Sequence, residues 1–268
     1  MYSFFDGKHD DSRANLKAAA EMGYDGVELF GPNFSIPAAE MKELLSELGL
    51  TPISLHAPQP ERVEGMIPYA KEVGMKFIGI GMKVMIDDAA VHEFAKELNR
   101  IGKECRENGL TLTYHNHTQE FMPCDDTIVI DVLMKETDPA YVSFELDAGW
   151  CAAAGTDPVE FVKKYSGRVK LIHVKESSEV VGPQPPLDSG NFPRDESGFP
   201  ILTEEVKEQL SRLDRINCRA CAGLVDWARL ADAADANGCE AYFVEREYSD
   251  GDRIEALTDD IRKYREVL

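Results

Sequence analysis

Ionisable side chains recur in this chain at the ends of short apolar runs. Glu28 stands in GVELF, His56 follows PISL, His115 and His117 close LTLTYHNH, Asp147 ends YVSFELD, His173 and Lys175 end VKLIHVK, and Glu245 ends AYFVE. A charged group or an imidazole has no packing purpose at such a place, and a single case is ordinarily just solvated. Repetition at the ends of many runs points instead to one shared polar site. Asp147, His173 and Glu245 come from three successive runs and supply two carboxylates and one imidazole. That set suits Mn2+, Mg2+, Co2+ or Zn2+ with positions left open for substrate oxygens, Mn2+ being the expected ion. An ion-paired network without a cation is the competing explanation. Within LTLTYHNHTQEF the alternation of a strand sets Thr113, His115 and His117 on one side, so that one imidazole ligates and the other acts as a base.

Such groups converge only if the runs are parallel strands whose carboxyl ends meet. Apolar or β-branched runs alternate with segments of 3.6-residue periodicity along the whole chain, the pattern of repeated βα units. Eight strands are expected: Tyr2–Phe5, Gly26–Phe30, Pro52–His56, Phe77–Gly81, Leu110–His115, Tyr141–Asp147, Val169–Val174 and Ala241–Glu245. None alternates as a half-solvated antiparallel strand would. The expected fold is therefore an α/β protein, a single-domain (β/α)8 TIM barrel over residues 1–268, a length close to the usual ~250 for such barrels. Ser12, Ser35 with Pro37, and Asp157-Pro158 open helices, and Gly23, Gly49, Gly74, Gly109, Gly167 and Gly238 stop them. Residues 176–203, rich in Pro, Gly, Asp and Ser, follow a strand end and read as a loop over the active face rather than a linker.

Composition narrows the function. Hydrophobic residues make up 43% and charged ones 29%, which is enough apolar material for a large core. A formal charge of −20 repels phosphate backbones and anionic membrane surfaces, so no nucleic-acid or membrane partner is expected. No window of 18 apolar residues occurs and the N-terminal stretch lacks a basic start, so the expected compartment is the cytoplasm. The six cysteines are scattered and read as free thiols, the Cys218-Arg-Ala-Cys221 spacing included. His9 and His92 read as surface residues, and Gly79-Ile80-Gly81 as close packing at a strand end.

The order of YSFFDG, AAEMGYDGVELFGP, LSELGLTPISLHAP, LTLTYHNHTQEF, SFELDAGWCAAAGTDPVEFVKKYSGRVKLIHVKE, GLVDW and YFVEREY resembles the xylose isomerase-like TIM barrel superfamily, the sugar phosphate isomerase/epimerase group, over nearly the full length. The resemblance implies that Asp147, His173 and Glu245 ligate a divalent metal, that Trp150 lines the pocket, and that Lys175 and His56 contact substrate. Glu28 and Glu120 join them as substrate-binding candidates. Ketose epimerases of this group carry a glutamate ligand where this chain has Thr113, a departure that leaves His115 as substitute ligand or as base.

The activity so implied is a divalent-metal-dependent sugar isomerase or epimerase, with His115, His117 and Glu245 as catalytic residues. It works by proton abstraction next to a carbonyl, through an enediolate. A metal-dependent lyase or dehydratase acting on a keto-sugar, inosose or keto-glycoside is the alternative within enzymes. A non-catalytic carbohydrate-binding barrel is the alternative outside them. The expected partner is a small sugar or sugar-derived substrate, and homo-oligomerisation is left open.

Overall fold

The computed structural model describes residues 1–5, 11–186, 202–247 and 251–268. Seven parallel strands form one sheet in sequence order: β1 (Gly26–Phe30), β2 (Thr51–Ala57), β3 (Phe77–Ile80), β4 (Thr111–His115), β5 (Val142–Asp147), β6 (Val169–Val174) and β7 (Ala241–Val244). Helices α1 (Ser12–Met22), α2 (Ala38–Leu48), α3 (Val63–Val73), α4 (Asp88–Glu107), α5 (Val129–Glu136), α6 (Ala148–Ala153), α7 (Pro158–Lys164), α8 (Glu204–Arg215), α9 (Trp227–Ala236) and α10 (Arg253–Tyr264) lie before, between and after them. The result is a nearly closed barrel with one domain, as the alternating pattern requires. Strands covered on both faces are buried throughout, as every residue of β3 and β5 is.

The expected strand Tyr2–Phe5 is not one. Tyr2–Phe4 is a single 3-10 turn, closed by Phe4 N–H to Met1 O (3.1 Å) and Phe5 N–H to Tyr2 O (3.1 Å). These local bonds use the backbone groups that a ladder would need. The gap between β1 and β7 is bridged otherwise. Met1 N donates to Glu28 O (2.9 Å), Ser3 Oγ donates to Val244 O (3.3 Å), and Arg246 N–H donates to Ser3 Oγ (3.0 Å).

The helices start and stop for the expected reasons, with small shifts. Asp11, not Ser12, caps α1 by accepting from the N–H groups of Arg13 (2.9 Å) and Ala14 (3.2 Å). Ser35 belongs to a 3-10 turn (Gly31–Ser35) ahead of α2, whose first flanking residue is Pro37. Asp157 caps α7, accepting from Val159 N–H (2.9 Å). All six helix-stopping glycines have positive φ; Gly23 at 91° and Gly49 at 70° end α1 and α2 in the left-handed conformation. In α4, Val91, Phe94, Ala95, Leu98, Ile101 and Cys105 recur at three- and four-residue spacing and are buried against the sheet. Gly102 on that face lets the helix approach β5, since a Cβ there would lie 2.6 Å from Tyr141 O.

After β6 the chain runs past Glu176 and bridges Ser177 to Asn217. Ser178 N–H donates to Ile216 O (2.8 Å) and Leu224 N–H to Ser177 O (2.9 Å). Of the expected 176–203 loop, residues 187–201 lie outside the described residues, as does His9. Among the described residues no helix is long and apolar enough to cross a membrane.

Candidate functional site

Pairing between neighbouring strands sets Phe30 beside His56, His115 beside Glu145, and Asp147 beside His173. The consequence is a ring of polar side chains at the carboxyl end of the sheet. His115, Asp147, His173 and Glu245 each offer one donor atom, and all four atoms lie within 4.8 Å of one another. Asp147 is fixed on both sides. Its Oδ1 accepts from Trp150 N–H (2.7 Å) at the start of α6, and its backbone is held by Asn116, whose Oδ1 accepts from Asp147 N–H (3.0 Å) and whose Nδ2 donates to Asp147 O (3.3 Å). Asp147 Oδ2 is buried without a hydrogen-bond partner and lies 4.0 Å from His115 Nε2. Burial pushes the Asp147 carboxyl well above its ordinary range, and Glu245 adds to this against the opposing charges of Lys175 and His173.

Beneath this set lies another. Glu28, His56, Glu145 and His173 likewise bring donor atoms within 4.8 Å of one another. His173 belongs to both sets: Nδ1 bonds to Glu245 Oε2, and Nε2 lies 3.1 Å from Glu28 Oε1 and 3.2 Å from Glu145 Oε1. His56 Nδ1 lies 3.3 Å from Glu28 Oε1 and 3.6 Å from Glu145 Oε2, close enough to pair but not aligned as a hydrogen bond. Burial alone would lower the His56 imidazole; Glu28 and Glu145 outweigh it and hold it at about 9. For Glu28 burial acts upward, but the His56 and His173 charges prevail and the carboxyl is held well below its usual range. Both carboxylate oxygens of Glu145 are buried without a hydrogen bond.

A third group flanks the upper set. Lys175, 1% exposed, places Nζ 4.5 Å from the centre of the Trp150 ring, 2.7 Å from Glu247 Oε2 and 3.8 Å from Glu245 Oε1. The His117 ring centre lies 4.9 Å from that of His115 and 6.0 Å from that of Trp150. Burial drives the His117 imidazole down to about 4, so it is neutral at pH 7. Glu120 accepts from Tyr114 Oη–H (2.6 Å), Gln119 Nε2 (2.8 Å) and His117 N–H (2.7 Å), and so holds the backbone that carries His117. Burial raises its carboxyl against these three bonds.

The sequence profile of the xylose isomerase-like TIM barrel family matches residues 16–267. The chain belongs to this family. An inosose dehydratase from Clostridium tetani is 36% identical over 89 residues, 33% of this chain and 29% of the dehydratase, so the matched stretch is less than a third of that relative. The fold of a sugar phosphate isomerase/epimerase from Parabacteroides distasonis superposes with a TM-score of 0.71 at 21% identity, covering 97% of this chain and 90% of that one. The protein IolI, whose structure contains a zinc atom, superposes with a TM-score of 0.69 at 15% identity, covering 96% and 92%.

In this xylose isomerase-like barrel the expected site residues Glu28, His56, His115, His117, Trp150, Lys175, Asp147, His173 and Glu245 are gathered into one connected cluster through the contacts above. Glu120 adjoins it through His117. Sequence reasoning missed Glu145, a fully buried member of the lower set, and Asn116, which pins Asp147. Glu145 lies two residues before Asp147 on β5, so the strand alternation that points one inward points both. The donor chemistry fits a divalent cation. Carboxylate oxygens and imidazole nitrogens face one another at short range, Asp147 Oδ2 has no protein hydrogen bond, and His173 is oriented by Glu28 through its other ring nitrogen, the support that metal-binding imidazoles commonly have.

Proposed function

We propose that this chain is a divalent-metal-dependent sugar isomerase or epimerase that removes a proton from the carbon next to a carbonyl and passes through an enediolate. The observation that carries the reading is the mutual approach of His115, Asp147, His173 and Glu245 to within 4.8 Å, with a buried Asp147 oxygen free to ligate. Those four residues would hold the metal, with Glu28 fixing the ring of His173. A cation bound there supplies a Lewis acid that polarises the hydroxyl and carbonyl oxygens of the sugar.

The proton chemistry belongs to the side chains. His117 is neutral at pH 7 and has a buried Nδ1 without a partner, so it can accept the proton. Glu245, kept ionised by His173 and Lys175 against the upward effect of burial, is the second proton-handling group. Lys175 stacks on Trp150 and directs a positive charge toward the oxyanion side of the developing enediolate. Trp150 supplies an apolar wall for the sugar and a buried indole N–H without a hydrogen-bond partner, and His56 and Glu28 support the site from below. Return of the proton to the neighbouring carbon isomerises, and return to the opposite face epimerises.

The likeness to inosose dehydratase over 89 residues favours a second reading, in which the same enediolate expels a β-hydroxyl and the enzyme is a lyase acting on an inosose or keto-sugar. Incubation with ketoses, inososes and keto-glycosides in heavy water separates the two. Deuterium retained in an isomeric product supports the isomerase; loss of water or of an aglycone supports the lyase. Elemental analysis is the test of the metal: the purified protein should carry about one divalent ion more than Asp147→Asn, and that variant should also lose turnover. A wild-type protein that binds no more divalent ion on titration than Asp147→Asn does would refute both readings.

A further inference from the structure

Among the described residues, one cluster of metal-binding side chains shares no residue with the barrel mouth. It lies where the second turn of α4 meets a two-rung antiparallel hairpin (Pro123–Cys124 with Thr127–Ile128). His92 Nδ1 is 3.0 and 2.9 Å from the two carboxylate oxygens of Glu136 at the end of α5. A ring nitrogen facing two carboxylate oxygens carries the proton, so Glu136 fixes Nδ1 as the N–H. The other nitrogen, Nε2, faces a second carboxylate: Asp125 Oδ2 is 2.9 Å away. Two acceptors do not approach so closely without a cation or a second proton between them.

Next to that pair is a thiol. Cys124 is buried, and its Sγ, a His92 ring nitrogen and an Asp125 oxygen all lie within 4.8 Å of one another. Zinc bonds of about 2.0–2.3 Å allow ligands up to roughly 4.6 Å apart, so small rotations of the exposed Asp125 side chain suffice. Asp125 is steadied for this by Asp88, whose Oδ2 accepts its N–H (3.2 Å). Imidazole nitrogen, thiolate sulfur and carboxylate oxygen together select a borderline-soft cation over Mg2+ or Ca2+. An imidazole anchored on a carboxylate through its far nitrogen is the usual form of a zinc-ligating histidine.

We infer that His92, Cys124 and Asp125 bind one zinc-class divalent ion, with Glu136 holding the imidazole and a water completing the coordination. The ion displaces the His92 Nε2 proton and the Cys124 thiol proton to solvent, with no change of oxidation state. Bound there, it ties the hairpin that follows Glu120 to the outer wall of the barrel.

Cobalt titration of the chelator-stripped full chain tests this, because the barrel-mouth set contains no sulfur. Wild type should develop a near-ultraviolet thiolate-to-cobalt charge-transfer band that is complete by about two equivalents, the barrel mouth taking the other ion. Asp147→Asn should keep the band and Cys124→Ser should lose it. His92→Gln and Glu136→Gln alter side chains that are about a third exposed, and each should weaken cobalt binding at this position about 10- to 100-fold. No band at saturating cobalt, a band that survives Cys124→Ser, or one that disappears with Asp147→Asn overturns the inference.

Discussion

Replacing Gly81 with alanine adds one methyl group beneath the site and nothing else. Gly81 follows β3, donates its N–H to Ala57 O (2.9 Å), and does not have the left-handed φ that would strain an alanine backbone. The new Cβ would overlap Nε2 and Cδ2 of His56. That ring has little room to retreat: Glu28 and Glu145 stand 3.3 and 3.6 Å from Nδ1, and the rings of His115 and His173 are centred 5.4 and 5.8 Å away. Overpacking of this kind costs about 1–3 kcal/mol. Urea unfolding of Gly81→Ala should therefore show a lower midpoint at unchanged slope. A ring displaced by about 1 Å should reduce turnover on the order of 100-fold. His56→Ala removes the obstacle, and in that background the added methyl should cost less than about 0.5 kcal/mol. Equal cost in both backgrounds would show that the imidazole is not what the methyl meets. No cost in the wild-type background would refute the packing argument altogether.

Two further expectations concern stability. In the metal-free protein His56 is held at about 9 against an ordinary 6.5, so it stabilises the fold fully below pH 6.5 and loses that contribution as pH rises through 9. The loss is roughly 3 kcal/mol at most, and unfolding midpoints at the two ends should show a shallower pH dependence in His56→Gln; identical dependence would count against the Glu28–His56–Glu145 contact. Trp227 Nε1 donates to Glu176 Oε1 (2.5 Å), and its ring meets Tyr264 at 5.4 Å. Trp227→Phe keeps the ring contact but removes the donor to a buried carboxylate, so thermal unfolding should report a cost of about 1–3 kcal/mol, and a neutral result would mean that the remaining donors to Glu176, the Cys221 N–H among them, satisfy it.

The sequence made some of this legible and hid the rest for physical reasons. The strands Gly26–Phe30 and Val169–Val174 have the boundaries their apolar runs suggest, because burial on both faces leaves a continuous signal. Asp147, His173 and Glu245 were recognisable because each ends such a run, and parallel pairing brings run ends together. Glu145 was not, since it sits inside its run and only the alternation from Asp147 reveals it. Tyr2–Phe5 reads as a strand by its aromatic content, but a four-residue segment can satisfy its backbone locally, and the bonds of Ser3 to Val244 and Arg246 replace the ladder. The substrate role read for Glu120 rests on its place just past β4. The tight turn that gives its carboxylate to Tyr114, Gln119 and His117 depends on contacts that local sequence does not display. His92 looked like ordinary surface, and only the fold brings Glu136 and Asp125 to either side of it.

The place where Met1 and Ser3 stand in for a strand leaves the hoop fastened by a clasp instead of a weld. β1 and β7 have no ladder to each other, and Glu28 and Glu245 are borne on opposite sides of that seam, joined across it through the two nitrogens of a single imidazole. Any breathing at the clasp changes the aperture between those two carboxylates. Slow amide exchange in β4 and β5 beside faster exchange in β1 and β7 would mark the seam as the hinge along which the mouth widens.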